Sequence, residues 1–323
     1  MLQRRTLVGL CTALLLGLSA GAHAQTTYPT KPVKFVVAFA PGGPADIIAR
    51  LLGQRLSESL GQPVVVENRA GAGGNVASGI VAKAAPDGYT LMVNTSSLAV
   101  NVSLSKNPGF DAEKDFTLAS VVASSPNLLV AYPGLKAKNL QEVVAEAKSG
   151  KLNYGTAGAG TTPHLTAEYL FKVLAKVDVT HIPFQGAGPA LNATLGGQVE
   201  MASVALPAAV EMVKGGKVRG LAVTSNKRVA ALPDVPTVAE SGFPGFEDYT
   251  WVGVFAPSKT PPEVVQHLNS EINKILRSAD FQAKLAGVGF EPVGGSTKDA
   301  ADYLKTELAK WAKVVKETGT KVE

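Results

Sequence analysis

Residues 33–52, VKFVVAFAPGGPADIIARLL, admit few local structures. An apolar run over residues 33–39 stops at Pro41-Gly42-Gly43 and turns directly into apolar residues at helical spacing. Pro44 suits the first helical position, where its missing N–H costs nothing. Asp46 falls in the first turn, where a carboxylate offsets the positive end of the helix. A strand feeding a helix through glycines leaves backbone N–H groups pointing outward with no side chain in the way, which is a seat for an anion.

The same alternation continues. Strands are expected over residues 33–39, 63–67, 90–94, 118–123, 128–131, 152–155, 179–182, 199–204, 218–224 and 251–255. Helices are expected over 45–60, 74–84, 140–149, 163–174, 189–195, 207–214, 262–277 and 297–317. Strand–helix alternation is the pattern of an α/β fold with a largely parallel sheet. A fresh cycle begins near residue 128, and residues 251–257 read as a strand returning to the first half. The expected organisation is lobe 1 over residues 25–125 and 252–323, lobe 2 over 126–251, and a cleft whose hinge is two crossing strands.

Residues 1–24 read as an export signal: Arg4 and Arg5, an apolar stretch from Leu7 to Leu18, and Ala22-His23-Ala24 as the cleavage site before Gln25. The one cysteine, Cys11, lies inside it, so the mature chain has no disulfide or cysteine-based metal site. The mature chain carries 29 Lys and Arg against 26 Asp and Glu, with no basic block interleaved with aromatics. Nucleic acid is therefore not an expected partner. A soluble, exported, periplasmic monomer is expected.

Three further glycine turns follow expected strands: residues 69–74, 155–164 and 184–189. The second of these adds Thr162 as helix N-cap and Pro163 as first helical residue. The first turn and the turn at 155–164, facing each other across a cleft with hydroxyls beside them, could grip a short anion. Asp46 is expected to pair with Arg69. Nucleotide and hydrolase motifs are absent: no turn ends in Gly-Lys-Ser/Thr, the first turn lacks the third glycine of a dinucleotide site, and Ser78 does not sit in G-x-S-x-G. His164, His181 and His267 have no metal-ligand spacing. No cofactor and no catalytic set are expected.

These residues carry a resemblance. YPTKPVKFVVAFAPGGPADIIARLL and QPVVVENRAGAGGNVASGIVAKAAPDGYTLMV are similar to the solute receptors of tripartite tricarboxylate transporters, the Bug receptors. So are LNYGTAGAGTTPHLTAEYL, HIPFQGAGPALNATLGGQVEM, GKVRGLAVTSNKRVAALPDVPTVAESG and WVGVFAPSKTPPEVV. The resemblance implies a two-lobed, periplasmic-binding-protein-like (Venus flytrap) fold that closes on a small carboxylate and delivers it to a membrane permease. It implies that the first turn holds a carboxylate through Ala40, Pro41, Gly42, Gly43, Ala45 and Asp46, with Phe39 on the cleft wall. Thr95 and Ser96 would add hydroxyls. Lobe 2 would contribute Thr161, Thr162, His164, Phe184, Gly186, Ser203 and Leu206.

Two departures bear on specificity. Leu98-Ala99-Val100-Asn101-Val102 stands where relatives often carry a histidine followed by Ala-x-Asn-Pro. Glu200-Met201-Ala202-Ser203-Val204-Ala205 stands where many carry an aspartate-hydrophobic-Phe-Asp run. Both imply a more apolar cleft, and hence a mono- or dicarboxylate with an apolar, even aromatic, body. The alternatives are a periplasmic enzyme on the same fold, with Asp46, Glu67 or His164 as base, and a ligand sensor docking on a sensor kinase.

Overall fold

The computed structural model describes residues 28–321. The export signal, its cleavage point and Cys11 lie outside the described residues. From Lys31 on, the described residues pack as one compact unit.

The first half runs β1 (Val33–Val37), α1 (Pro44–Leu60), β2 (Val64–Asn68), α2 (Asn75–Ala82), β3 (Thr90–Thr95), α3 (Ser97–Leu104) and β4 (Phe116–Ala131). β1 is buried on both faces apart from Lys34 and lies between β2 and β3, parallel to each, as a fully apolar strand requires. α1 begins on Pro44, buries Ala45, Ile48, Ala49, Leu52 and Leu56 at helical spacing, and stops at left-handed Gly61.

The second half runs α4 (Leu140–Ala147), β5 (Leu152–Thr156), α5 (Thr162–Glu168), β6 (Val179–Pro183), α6 (Ala187–Leu195), β7 (Met201–Ala205), α7 (Leu206–Lys214) and β8 (Arg219–Val223). α5 does not continue as one α-helix to Leu174 as its periodicity predicts. It widens into a π-helical segment over Tyr169–Leu174. The chain then returns through β9 (Tyr249–Pro257), α8 (Pro262–Leu276), α9 (Ala279–Gly287), β10 (Glu291–Pro292) and α10 (Thr297–Thr318).

The strand order is β2-β1-β3-β9-β4-β7-β5-β6, with β8 and β10 also paired to β4. β4 belongs to both lobes. Its first part pairs β9 antiparallel as far as Pro126, and from Asn127 on it pairs β7, with β8 joining from Leu128. The sequence predicts two strands here, broken between 123 and 128. The structure has a single 16-residue strand, because the N–H that Pro126 lacks falls where β9 ends and β7 begins, so no continuous ladder is interrupted. β9 also pairs β3 antiparallel, from Met92↔Phe255 to Thr95↔Val252.

A buried polar hub fixes the middle of β4. Asn127 donates its N–H to Thr224 Oγ1 (2.7 Å) and its Nδ2 to Asp248 Oδ2 (3.0 Å), and accepts from Thr250 Oγ1 (2.7 Å). Lys310 of α10 reaches Asp248 Oδ1 at 3.1 Å, and Thr166 of α5 donates to the same carboxylate. α10 thus spans both halves: its Trp311 packs with Ala99, Val100 and Leu104 of α3 and with Leu165 of α5. Among the described residues, no helix is long and apolar enough to cross a membrane.

Candidate ligand-binding site

The first glycine turn is held from behind by its own helix. Asp46, buried at 4% exposure, accepts from the Gly42 N–H (3.0 Å), Arg50 Nε (3.1 Å) and Asn68 Nδ2 (2.9 Å). Asn68 Nδ2 also donates to Phe39 O at 2.9 Å. Burial works to raise the Asp46 pKa, but the hydrogen bonds from Arg50, Gly42 and Asn68 outweigh it and hold the carboxyl below its ordinary value. The expected Asp46–Arg69 pair is not formed. Arg50, one helical turn on, takes Asp46 at 2.9 Å, while Arg69 pairs with Glu67 beside it. Lys34 also reaches Glu67, at 3.0 Å.

The four glycine turns meet in two pairs across the cleft. In one, the first turn packs on residues 184–188: a Cβ added at Gly186 would lie 2.9 Å from Ala40 Cβ, so only glycine permits this approach. In the other, Gly73 lies against Gly158, Ala159 and Gly160. Between the pairs, Ser96 Oγ and Thr162 Oγ1 share a hydrogen bond.

Between the turns is a small cavity of about 20 Å³, lined by Phe39, Gly43, Pro44, Thr95, Ser97, Ala157, Thr161, Pro163, Ala187, Ala205 and Thr250. Its size admits about one water. Five helices begin at this lining: Gly43 is the N-cap of α1, Ser97 opens α3, Thr161 is the N-cap of α5, Ala187 opens α6 and Ala205 is the N-cap of α7. No charged side chain lines it. Outside, past Phe39 and Ala157, which line both spaces, lies a larger cavity of about 530 Å³ with Phe184, Asn101 and the Gly71–Val76 turn in its wall.

Of the residues expected from sequence, Phe39, Gly43, Thr95 and Thr161 line the small cavity. Ala40, Pro41, Gly42 and Ala45 belong to the turn beside it. Phe184 lines only the outer cavity, and Gly186 lies against Ala40. Ser203 is buried and donates to Pro163 O at 2.8 Å, and Leu206 packs in the lobe 2 core with Leu128, Val130 and Val210. Neither lines the cavity; Ala205 between them does. The N-cap of α5 is Thr161, one residue before the expected Thr162, and its hydroxyl donates to Gly158 O at 2.8 Å.

His164 also stands behind its turn. Its Nδ1 accepts the Gly160 N–H at 3.2 Å, and its ring stacks on His181 at 3.8 Å between centroids. Burial, reinforced by the Lys172 charge, lowers His164 to about 4. Burial and then His164 lower His181 to about 3. Both rings are neutral at pH 7 and supply no cation. Among the described residues, no three His, Cys, Asp or Glu are grouped to hold a metal.

Pro44 and Ala205 fall inside the expected stretches 40–46 and 203–206, while sequence reasoning missed Ser97, Ala157, Pro163, Ala187 and Thr250. Ala187 and Ala205 each stand at a strand-to-helix junction, the same signal that marks Gly43. Thr250 carries no local signal, since β9 brings it in from far along the chain.

Residues 48–320 match the family described as Tripartite tricarboxylate transporter family receptor. The Bordetella pertussis protein BugT is 38% identical over 311 residues, covering 95% of each chain. Among solved structures, R. palustris Rpa4515 with adipate is 38% identical with a TM-score of 0.88, covering 90% of this chain and 98% of its own. MatC from Rhodopseudomonas palustris with bound malate is 36% identical with a TM-score of 0.84, covering 89% of this chain and all of its own. The periplasmic binding protein BugD is 35% identical with a TM-score of 0.87, covering 92% of this chain and all of its own.

Proposed function

The chain belongs to the tripartite tricarboxylate transporter receptor family, and from that premise we propose that it captures a small carboxylate in the periplasm and delivers it to a membrane permease. One observation carries the carboxylate reading. Five helix N-termini converge on a small cavity that no charged side chain lines. A helix N-terminus carries a partial positive charge and N–H groups that have no partner inside the helix. A carboxylate is the anion that such a seat holds without a cation, at roughly 1.5–3 kcal/mol for each hydrogen bond to it. Four or five of these cover the about 8 kcal/mol of a micromolar ligand before ordering costs.

The bodies that open and close are residues 25–125 with 252–323 and residues 126–251, moving about β4 and the return into β9. Opening admits the ligand, because the closed cavity has room for about one water. The body of the ligand is apolar. Phe39, Pro44, Ala157, Pro163, Ala187 and Ala205 give the cavity an apolar wall beside its hydroxyls. The relatives bound to adipate and to malate mark short dicarboxylates as the first class to try.

Conversion of the ligand is disfavoured by the same geometry. Asp46 and His164 each accept a backbone N–H, and Glu67 pairs with Lys34 and Arg69. None is free to act as a base on a molecule in the cavity.

The test is thermal denaturation of the mature chain with adipate, malate, citrate, benzoate and acetate in turn. A ligand at about 100 times its Kd adds roughly 2.7 kcal/mol of stability. A shift with adipate or an aromatic acid exceeding that with citrate supports the reading. No shift with any acid, in protein first unfolded and refolded to strip bound ligand, rejects it.

A further inference from the structure

Asn101 lies on α3 of lobe 1, buried at 4% exposure, with its amide between two glycine turns of different lobes. Its Nδ2 is 2.9 Å from Ser97 O, 3.0 Å from Gly73 O and 3.3 Å from Gly160 O. Gly73 follows β2 and Gly160 follows β5, so one amide group joins the lobes. A Cβ added at Gly73 would stand 3.1 Å from Asn101 Nδ2 and collide with Ala159 O, and one at Gly160 would collide with Asn101 Oδ1. The turns at 69–74 and 158–160 are thus glycine-rich because peptide meets peptide there with an amide between them.

We propose that Asn101 is a positioning residue that clasps the two lobes shut, so that closure is favoured by the protein's own hydrogen bonds as well as by the ligand. The Ser96–Thr162 hydrogen bond is a second tie of the same kind. Asn101 lines the outer cavity and does not line the small one. It therefore acts on ligand through the fraction of molecules that are closed. Apparent affinity falls in proportion to that fraction, whatever the ligand. Loss of the clasp weakens every ligand by the same factor, whereas a ligand contact changes the relative affinities of different acids.

The inference rests on the closing-cleft reading, but its first test needs no ligand. The mature chain has no cysteine, so spin labels attach cleanly at Asn107→Cys and Gln185→Cys, two exposed positions in the wall of the outer cavity. The unliganded protein is expected to show one short label distance. Asn101→Asp keeps the side-chain volume and sets carboxylate oxygens against three carbonyls, and is expected to add a longer distance. Asn101→Ala, which removes the donor without adding charge, does the same if the Asp variant fails to fold. Kd for adipate and for malate is expected to rise about tenfold, by equal factors, from the loss of about two net hydrogen bonds. A long distance in the unliganded parent overturns the clasp, as do unchanged distances in both variants. Unequal factors for the two acids would make Asn101 a ligand contact instead. A label shift with no binding of either acid leaves the clasp standing and rejects short dicarboxylates as the ligand class.

Discussion

Asp46 Oδ2 accepts the N–H of Gly42 at 3.0 Å, so the helix that follows the first glycine turn braces that turn from behind. The carboxylate also takes Arg50 and Asn68, and Asn68 in turn holds Phe39 O. One carboxylate sets the shape of the segment that lines the cavity at Phe39 and Gly43.

Asp46→Ala is expected to destabilise the protein by about 2 kcal/mol, since a charged acceptor of three hydrogen bonds is lost. The folded-state pKa lies below the unfolded one. The contribution of Asp46 is therefore complete above about pH 4 and lost as pH falls through the folded value. Urea unfolding of parent and variant at pH 7 and at pH 3 should give a larger difference at pH 7.

Gly186→Ala and Gly43→Val are expected to separate two causes of lost binding. The Cβ at Gly186 meets Ala40 at 2.9 Å and holds the lobes apart, while a Cβ at Gly43 has nothing nearer than 3.7 Å and its side chain fills the cavity. Calorimetry should show binding weakened at least tenfold in both. Small-angle scattering should show expansion only in Gly186→Ala.

The stacked pair His164 and His181 makes stability fall on acidification. Both folded-state pKa values, about 4 and about 3, lie below the unfolded value of about 6.5. Below pH 6.5 the unfolded chain binds more protons, so stability is complete above that pH and declines toward pH 4, by up to about 1.4 kcal/mol per pH unit for each ring. Glu168 and Lys172 of the neighbouring turn face the pair and bias it in opposite senses. His181→Phe should flatten the pH dependence of unfolding free energy between pH 6.5 and 4; an unchanged slope would show that the pair does not titrate this way.

Asp248→Ala removes the centre of the hub on β4, leaving Asn127 Nδ2 and Thr166 Oγ1 without that acceptor and Lys310 without its closest carboxylate. A loss of about 3 kcal/mol is expected. The midpoint of urea unfolding checks it.

Elements with their own periodicity and punctuation were legible from sequence: β1 and α1 from an apolar run, Pro44 and Asp46, and α10 from its helical pattern over residues 297–317. α3 was not, because six of its eight residues are buried and a helix covered on most sides has no amphipathic period to read. Asp46 was marked as important, but its partner was misread. Arg50 and Arg69 are both within reach in sequence, and only the helical turn puts Arg50 alongside.

Local sequence determined the four glycine turns, since strand-to-helix junctions are properties of short segments. Which turn faces which was decided by tertiary structure. Gly186 meets Ala40 and Gly160 meets Asn101 across 146 and 59 positions of chain (186 less 40, 160 less 101). Only the packing of two lobes about β4 brings such distant peptides into contact, and no local propensity encodes a contact of that span.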